Sequence, residues 1–142
     1  MPAALEVGTK SMIEVEIFGR RGAPGTPALA EVRRLCVLAA AAVGVEDGHL
    51  AIEFVDVERI IELNSKHRGK AAATDVLSFP IDGIEPMQAA PRELGDIVIC
   101  PEHTADLREA IVHGTLHLLG MDHEVDDGEM LALQAELLSR PS

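Results

Sequence analysis

Tryptophan and tyrosine do not occur in this sequence, and three phenylalanines are its only aromatic residues. The core must therefore be aliphatic, and stacking platforms for single-stranded bases are few. Cysteine is limited to Cys36 and Cys100, far apart and outside any Cys-x-x-Cys pair, which predicts two buried thiols in a reducing cytoplasm. Positive charge is scarce: 12 Lys and Arg stand against 24 Asp and Glu, a net charge of −12. That balance argues against indiscriminate attraction to nucleic acid or anionic membranes, although a local basic patch can override it. No apolar run reaches the roughly 18 to 20 residues needed to span a bilayer. The run from Arg33 to Val45 superficially resembles a secretion signal, but its internal position and the acidic Glu46 and Asp47 predict an amphipathic or buried helix.

What is present is the composition of a globular protein, 47% hydrophobic and 25% charged, at a length of 142 residues that suits one domain. We take residues 1–142 as a single domain, with 1–11 expected to be poorly ordered. Ile13, Val15 and Ile17 alternate with Glu14 and Glu16, the period of a strand with one buried face. A Gly/Pro-rich loop follows, then an Ala/Leu-rich helix from about Ala28 to Val43, closed by Gly44. Leu50 to Val55 reads as a second strand, and Asp56 caps a short helix ending near Gly69. Thr74 to Pro80 is a third strand, the segment IDGIEPMQAAPREL a long loop, and Asp96 to Cys100 a fourth strand. Beyond Pro101 the pattern is helical, one helix to about Leu119 and another from about Asp126 to Leu138. Strands and helices mix without strict alternation, so the class is α+β.

The stretch HGTLHLLGMDH concentrates three of the six histidines. His113 and His117 lie one helical turn apart on one face, and on a helical wheel that face is opposite Leu107, Ile111 and Leu118, beside Asp106 and Ala110. Gly120 suits a left-handed residue at a helix end that turns the chain back. His123 follows three residues later, so that three imidazoles can converge on one ion. Zinc takes such nitrogens at about 2.0 to 2.1 Å, and three protein ligands leave a fourth position for water, the pattern of a catalytic site. The same spacing occurs in metzincin peptidases, where a glutamate after the first histidine is the general base. Gly114 stands in that place here and cannot move protons. Asp122 and Glu124 flank the third histidine and read as solvated acids.

A second constellation, NSKHRGKAAATDVLSFP, gathers Lys66, His67, Arg68 and Lys70 around Gly69. Cations at a helix C-terminus are favoured by the helix dipole alone. In so acidic a protein they also mark where a phosphate would settle, with Arg68 gripping it through two hydrogen bonds. A phosphodiester positioned by Arg68 and attacked by metal-activated water is a coherent hydrolytic chemistry.

Together with LGDIVIC, these two stretches resemble the YbeY family of bacterial metal-dependent endoribonucleases, from about Ile13 to Leu138 and in the family's order. The resemblance implies a zincin-like α+β fold with one zinc ion on His113, His117 and His123. It implies cleavage of single-stranded RNA, in maturation of the small-subunit ribosomal RNA and in ribosome quality control, with the ribosomal small subunit or assembly proteins as partners. It assigns the catalytic positive charge to Arg68, substrate contacts to Lys66 and Lys70, and a supporting place near the site to Asp96. The chain departs from the family pattern at His67, where tyrosine is common, at Ala71 to Ala73, and in the short segment between Cys100 and His113.

Two other readings compete. A metallopeptidase using a different base would share the histidine spacing. A ribosome-assembly factor with a mainly structural metal would suit the acidic surface and the missing glutamate.

Overall fold

In the computed structural model the described residues are 12–19, 27–69, 72, 74–81, 93–121 and 126–140. The N-terminal residues 1–11 and most of the long loop, 82–92, lie outside them, as do Lys70 and residues 122–125.

Strand β1 (Met12–Gly19) keeps the alternation of its sequence, with Ile13 and Val15 buried and Glu14 and Glu16 exposed. It runs parallel to β2 (Asp47–Phe54), which starts three residues earlier than its apolar run because Asp47, Gly48 and His49 pair along β1. β2 in turn runs parallel to β4 (Glu93–Ile99), and β3 (Val76–Pro80) closes the sheet antiparallel to β4, giving the order β1-β2-β4-β3. The mixed four-stranded sheet packed with helices is the α+β arrangement expected.

Two cores form because successive strand residues face opposite ways. Ile13, Val15, Leu50, Ile52, Phe54, Ile97 and Ile99 face helices α1 (Leu29–Ala42) and α3 (Leu107–Leu118). On the other face Leu77, Val98 and Phe79 meet Ile60 and Leu63 of α2 (Val57–Arg68). Cys36 and Cys100 are free and buried. Burial pushes the Cys36 thiol up to about 12, although a hydrogen bond with Thr115 works the other way, so it is inert as a nucleophile.

The helix ends follow the expected chemistry. The Asp56 carboxylate accepts the Arg59 N–H at 2.9 Å at the start of α2, and left-handed Gly69 ends it. Asp106 likewise accepts the N–H groups of Arg108 and Glu109 at the start of α3. One 3-10 turn, Pro101–His103, joins β4 to that cap, so the short Cys100–His113 segment holds only this turn and the first turns of α3. The last helix, α4 (Glu129–Leu138), packs Met130, Gln134 and Leu137 inward. Among the described residues no helix is long and apolar enough to cross a membrane.

Candidate metal centre

Helix α3 is held from three sides. Its Gly114 meets the sheet: a Cβ there would stand 2.7 Å from Ile97 Cγ2 and 3.0 Å from Val76 Cγ2. Ser78 Oγ of β3 donates to the Gly114 carbonyl at 2.9 Å. On the α1 side the Thr115 hydroxyl donates to Ile111 O at 2.7 Å and lies 3.7 Å from Cys36 Sγ. At the start of the helix Glu31 of α1 takes a two-pronged contact from Arg34, at 2.9 Å for each oxygen, and Arg108 Nε at 3.0 Å. Hydrogen bonding from Arg34, reinforced by Arg108 and opposed by burial, holds the Glu31 carboxyl down at about 2. A cleft of about 860 Å³ opens beside this network, at the opposite end of α3 from His117.

The enclosure extends to the face opposite Leu107, Ile111 and Leu118. The face that carries the histidines is not a polar face, since Ala110 is buried along with Leu107, Ile111, Val112, Gly114, Thr115, Leu116 and Leu118. A wheel supposes one packing partner, and α3 has the sheet, α1 and α4. His113 and His117 are consequently half-buried, with ring centroids 4.7 Å apart at an interplanar angle of 74°. Two imidazoles bound tetrahedrally to one ion, with nitrogens at about 2.0 to 2.1 Å, have centroids about 5 Å apart, so the pair fits zinc. Its chemistry fits as well: Nδ1 of His113 lies 2.8 Å from Oε1 of Gln134, a buried amide of α4. With that oxygen accepting, the proton is on Nδ1 and the lone pair on Nε2.

The helix then ends as its glycine requires. Gly120 has φ +108°, its N–H donates to His117 O at 3.0 Å, and Met121 N–H donates to Leu116 O at 3.0 Å. This is the Schellman pattern that closes a helix and redirects the chain. His123, the expected third ligand, lies outside the described residues, as do the flanking Asp122 and Glu124. Among the described residues no group of three His, Cys, Asp or Glu forms a metal cluster, so the structure brings two of the three expected ligands together.

Of the remaining candidates, only Lys66 and Asp96 have described side chains. Arg68 is the last residue of α2; its side chain lies outside the described part, as does Lys70. Lys66 is exposed, with Nζ 4.0 Å from Glu62. Strand β3 separates α2 from the histidine helix: the His67 ring packs on Phe79 at 4.4 Å on one face, while Ser78 contacts Gly114 on the other. Asp96 is exposed and paired in register with Phe79, on the face opposite α3, so the structure does not bring it to the histidines. Its neighbour Ile97 is the residue that touches α3.

Sequence reasoning missed Gln134, whose partner is 21 positions away, and the role of Asn64. That buried amide donates from Nδ2 to Ala72 O at 2.8 Å, while its Oδ1 is buried with no hydrogen-bond partner among the described residues. A polar residue on the inward side of a helix is the signal that finds both.

Comparison with known proteins adds an independent line. The family model described as Endoribonuclease YbeY matches residues 28–141. The protein named Endoribonuclease YbeY from Macrococcus caseolyticus is 37% identical over 129 residues, covering 78% of this chain and 84% of that one. Its namesake in Bacillus cytotoxicus is 39% identical over 128 residues, covering 75% and 82%. The solution structure of TM1509 from Thermotoga maritima superimposes with a TM-score of 0.51 at 26% identity, covering 87% of this chain and 86% of that one.

Proposed function

The chain belongs to the endoribonuclease YbeY family, and from that premise we propose that this RNA-cleaving hydrolase is a zinc enzyme for single-stranded RNA, its metal held by His113, His117 and His123. The proposal extends to its setting: maturation of small-subunit ribosomal RNA and ribosome quality control in the cytoplasm, with the small subunit or assembly proteins as partners.

The observation that supports the zinc reading best is the ring pair itself, half-buried, 4.7 Å apart and immediately followed by the reversal at Gly120. Zinc bound there would supply Lewis acidity and a water of lowered pKa. The residues of the chain do the rest. His113 and His117 present nitrogens from a helix that three neighbours hold still. Arg68, at the end of α2, grips the scissile phosphate and offsets charge as it develops, with Lys66 and Lys70 drawing the RNA backbone toward a positive spot on an acidic protein. Asn64, on the same helix, holds the Ala72 carbonyl four residues beyond Arg68.

At Gly114 a peptidase of the usual kind lacks its base, so a peptidase reading needs a base from elsewhere in the chain. In metzincins the residue after the first histidine is the catalytic glutamate; here that position is pressed against Ile97 and Val76, with no room for a side chain.

Purified zinc-loaded protein should cut an unstructured RNA, leave a duplex of the same sequence intact, and stop when a chelator is added. Arg68→Ala should lower the rate by about a hundredfold with zinc content unchanged. Cleavage that survives both the chelator and His113→Ala would contradict the reading. Unfolding on zinc removal, with full activity in Arg68→Ala, would favour the assembly factor with a structural metal.

A further inference from the structure

The inward face of α4 carries one polar residue among Met130 and Leu137, and it is spent on the histidine helix. Gln134 is buried to 8% exposure, and its Oε1 is 2.8 Å from His113 Nδ1. A neutral imidazole protonates one nitrogen and offers the other; the partner of the first decides which. An amide oxygen can only accept, so this contact puts the proton on Nδ1. Were the amide turned the other way, its NH₂ would donate to Nδ1 and leave the proton on Nε2, and the ring would have no lone pair where a helix-borne ligand needs one.

We propose that Gln134 is a positioning residue for the metal centre: its side-chain oxygen fixes the Nδ1–H tautomer and the plane of His113, so that Nε2 is the nitrogen given to the ion. The proposal rests on the reading of His113 as a ligand. Such partners of ligating histidines change metal affinity by about 10- to 100-fold when removed. Gln134 also couples two helices. α4 begins at an Asp126-capped turn directly after residues 122–125, so the same helix that orients His113 stands at the far end of the segment that carries His123.

The test is zinc affinity, measured by competition with a chromophoric chelator on wild type, Gln134→Leu, Gln134→Glu and His113→Ala, with thermal melts of the metal-free proteins as the folding control. Gln134→Leu should bind zinc about 10- to 100-fold more weakly, and Gln134→Glu, which keeps an accepting oxygen, should retain wild-type affinity or exceed it. Long-range proton–nitrogen NMR on zinc-loaded wild type should show His113 carrying its proton on Nδ1, a readout that needs no variant to fold. Wild-type affinity in Gln134→Leu, or metal on Nδ1 of His113, overturns the proposal while leaving the zinc reading intact. If wild type binds no zinc, or His113→Ala binds it equally well, the ligand reading itself fails and this proposal falls with it.

Discussion

His49 and His113 are both half-buried, and both have a ring nitrogen within 3.0 Å of a side-chain oxygen, yet their neighbours give them opposite capacities. His49 sits across the sheet between Glu93, 3.0 Å from Nδ1, and Glu16, 2.6 Å from Nε2. Ionised carboxylates only accept, so the two contacts together favour the protonated ring, in which both nitrogens donate. Burial depresses its pKa, but the hydrogen bonds and charges of Glu93 and Glu16 outweigh that and leave it raised. Such a ring clips β1, β2 and β4 together and has no lone pair for a metal. His113 has a neutral amide on one nitrogen, which selects a tautomer and leaves a lone pair on the other. The difference teaches that a histidine's use is written in its partners, and partners from two neighbouring strands or from another helix are invisible in the spacing of the histidines.

The largest expected effect separates these two rings outright. His117→Ala should lower zinc affinity by at least about 100-fold and abolish RNA cleavage, whereas His49→Gln should leave zinc stoichiometry and cleavage as they are. Equal loss in both variants, measured by metal analysis and a gel-based cleavage assay, would erase the distinction.

The next effect tests how tightly the histidine helix is seated. Gly114→Ala drives a methyl group against Ile97 and Val76 and should cost about 1–3 kcal/mol in a urea melt. An unchanged midpoint would mean that the sheet can yield there, and that the rings stand on a looser platform than the contacts imply.

A smaller effect concerns the tie between α1 and the start of the histidine helix. Because the pKa of Glu31 is depressed, its contribution is fully present above the unfolded carboxylate value, about 4.3, and is lost as pH falls towards about 2. Glu31→Gln should destabilise the fold by about 1 kcal/mol at neutral pH, discounted for its partly solvated arginines, and flatten the acid limb of stability against pH. Parallel curves for wild type and variant would show that the network contributes nothing.

The smallest effect belongs to His49. Its pKa is raised, so its stabilisation is complete below the unfolded histidine value, about 6.5, and fades as pH rises through the higher folded value. Glu16 and Glu93 are more than half exposed, so the gain is a few tenths of a kcal/mol, about that of an exposed ion pair. An NMR titration of the ring should find a midpoint above the ordinary one; a midpoint at or below it would contradict the imidazolium assignment.

Much of the fold was legible because its signals are local. Alternation in Ile13 to Ile17 marks β1, Asp56 marks the start of α2, and Gly44, Gly69 and Gly120 all take positive φ where helices end. Of the candidate site, the facing of His113 and His117 was legible from their spacing of four. The buried surroundings of that face were not, since they depend on α1, α4 and the sheet enclosing one helix. Nor was the side of the sheet on which Asp96 lies, because a shift of one residue in a strand exchanges the faces. Gln134 and the Glu31–Arg108 pair, 77 residues apart, exist only once helices have docked.

The proposed zinc site requires His123 to join His113 and His117 at one ion after the chain reverses at Gly120. X-ray absorption at the zinc edge of the loaded protein tests this most directly. The predicted spectrum shows three imidazole nitrogens and one lighter oxygen-type ligand at about 2.0 to 2.1 Å, reduced to two imidazoles in His123→Ala. A wild-type spectrum with two imidazoles or fewer, or one unaltered in that variant, would contradict it.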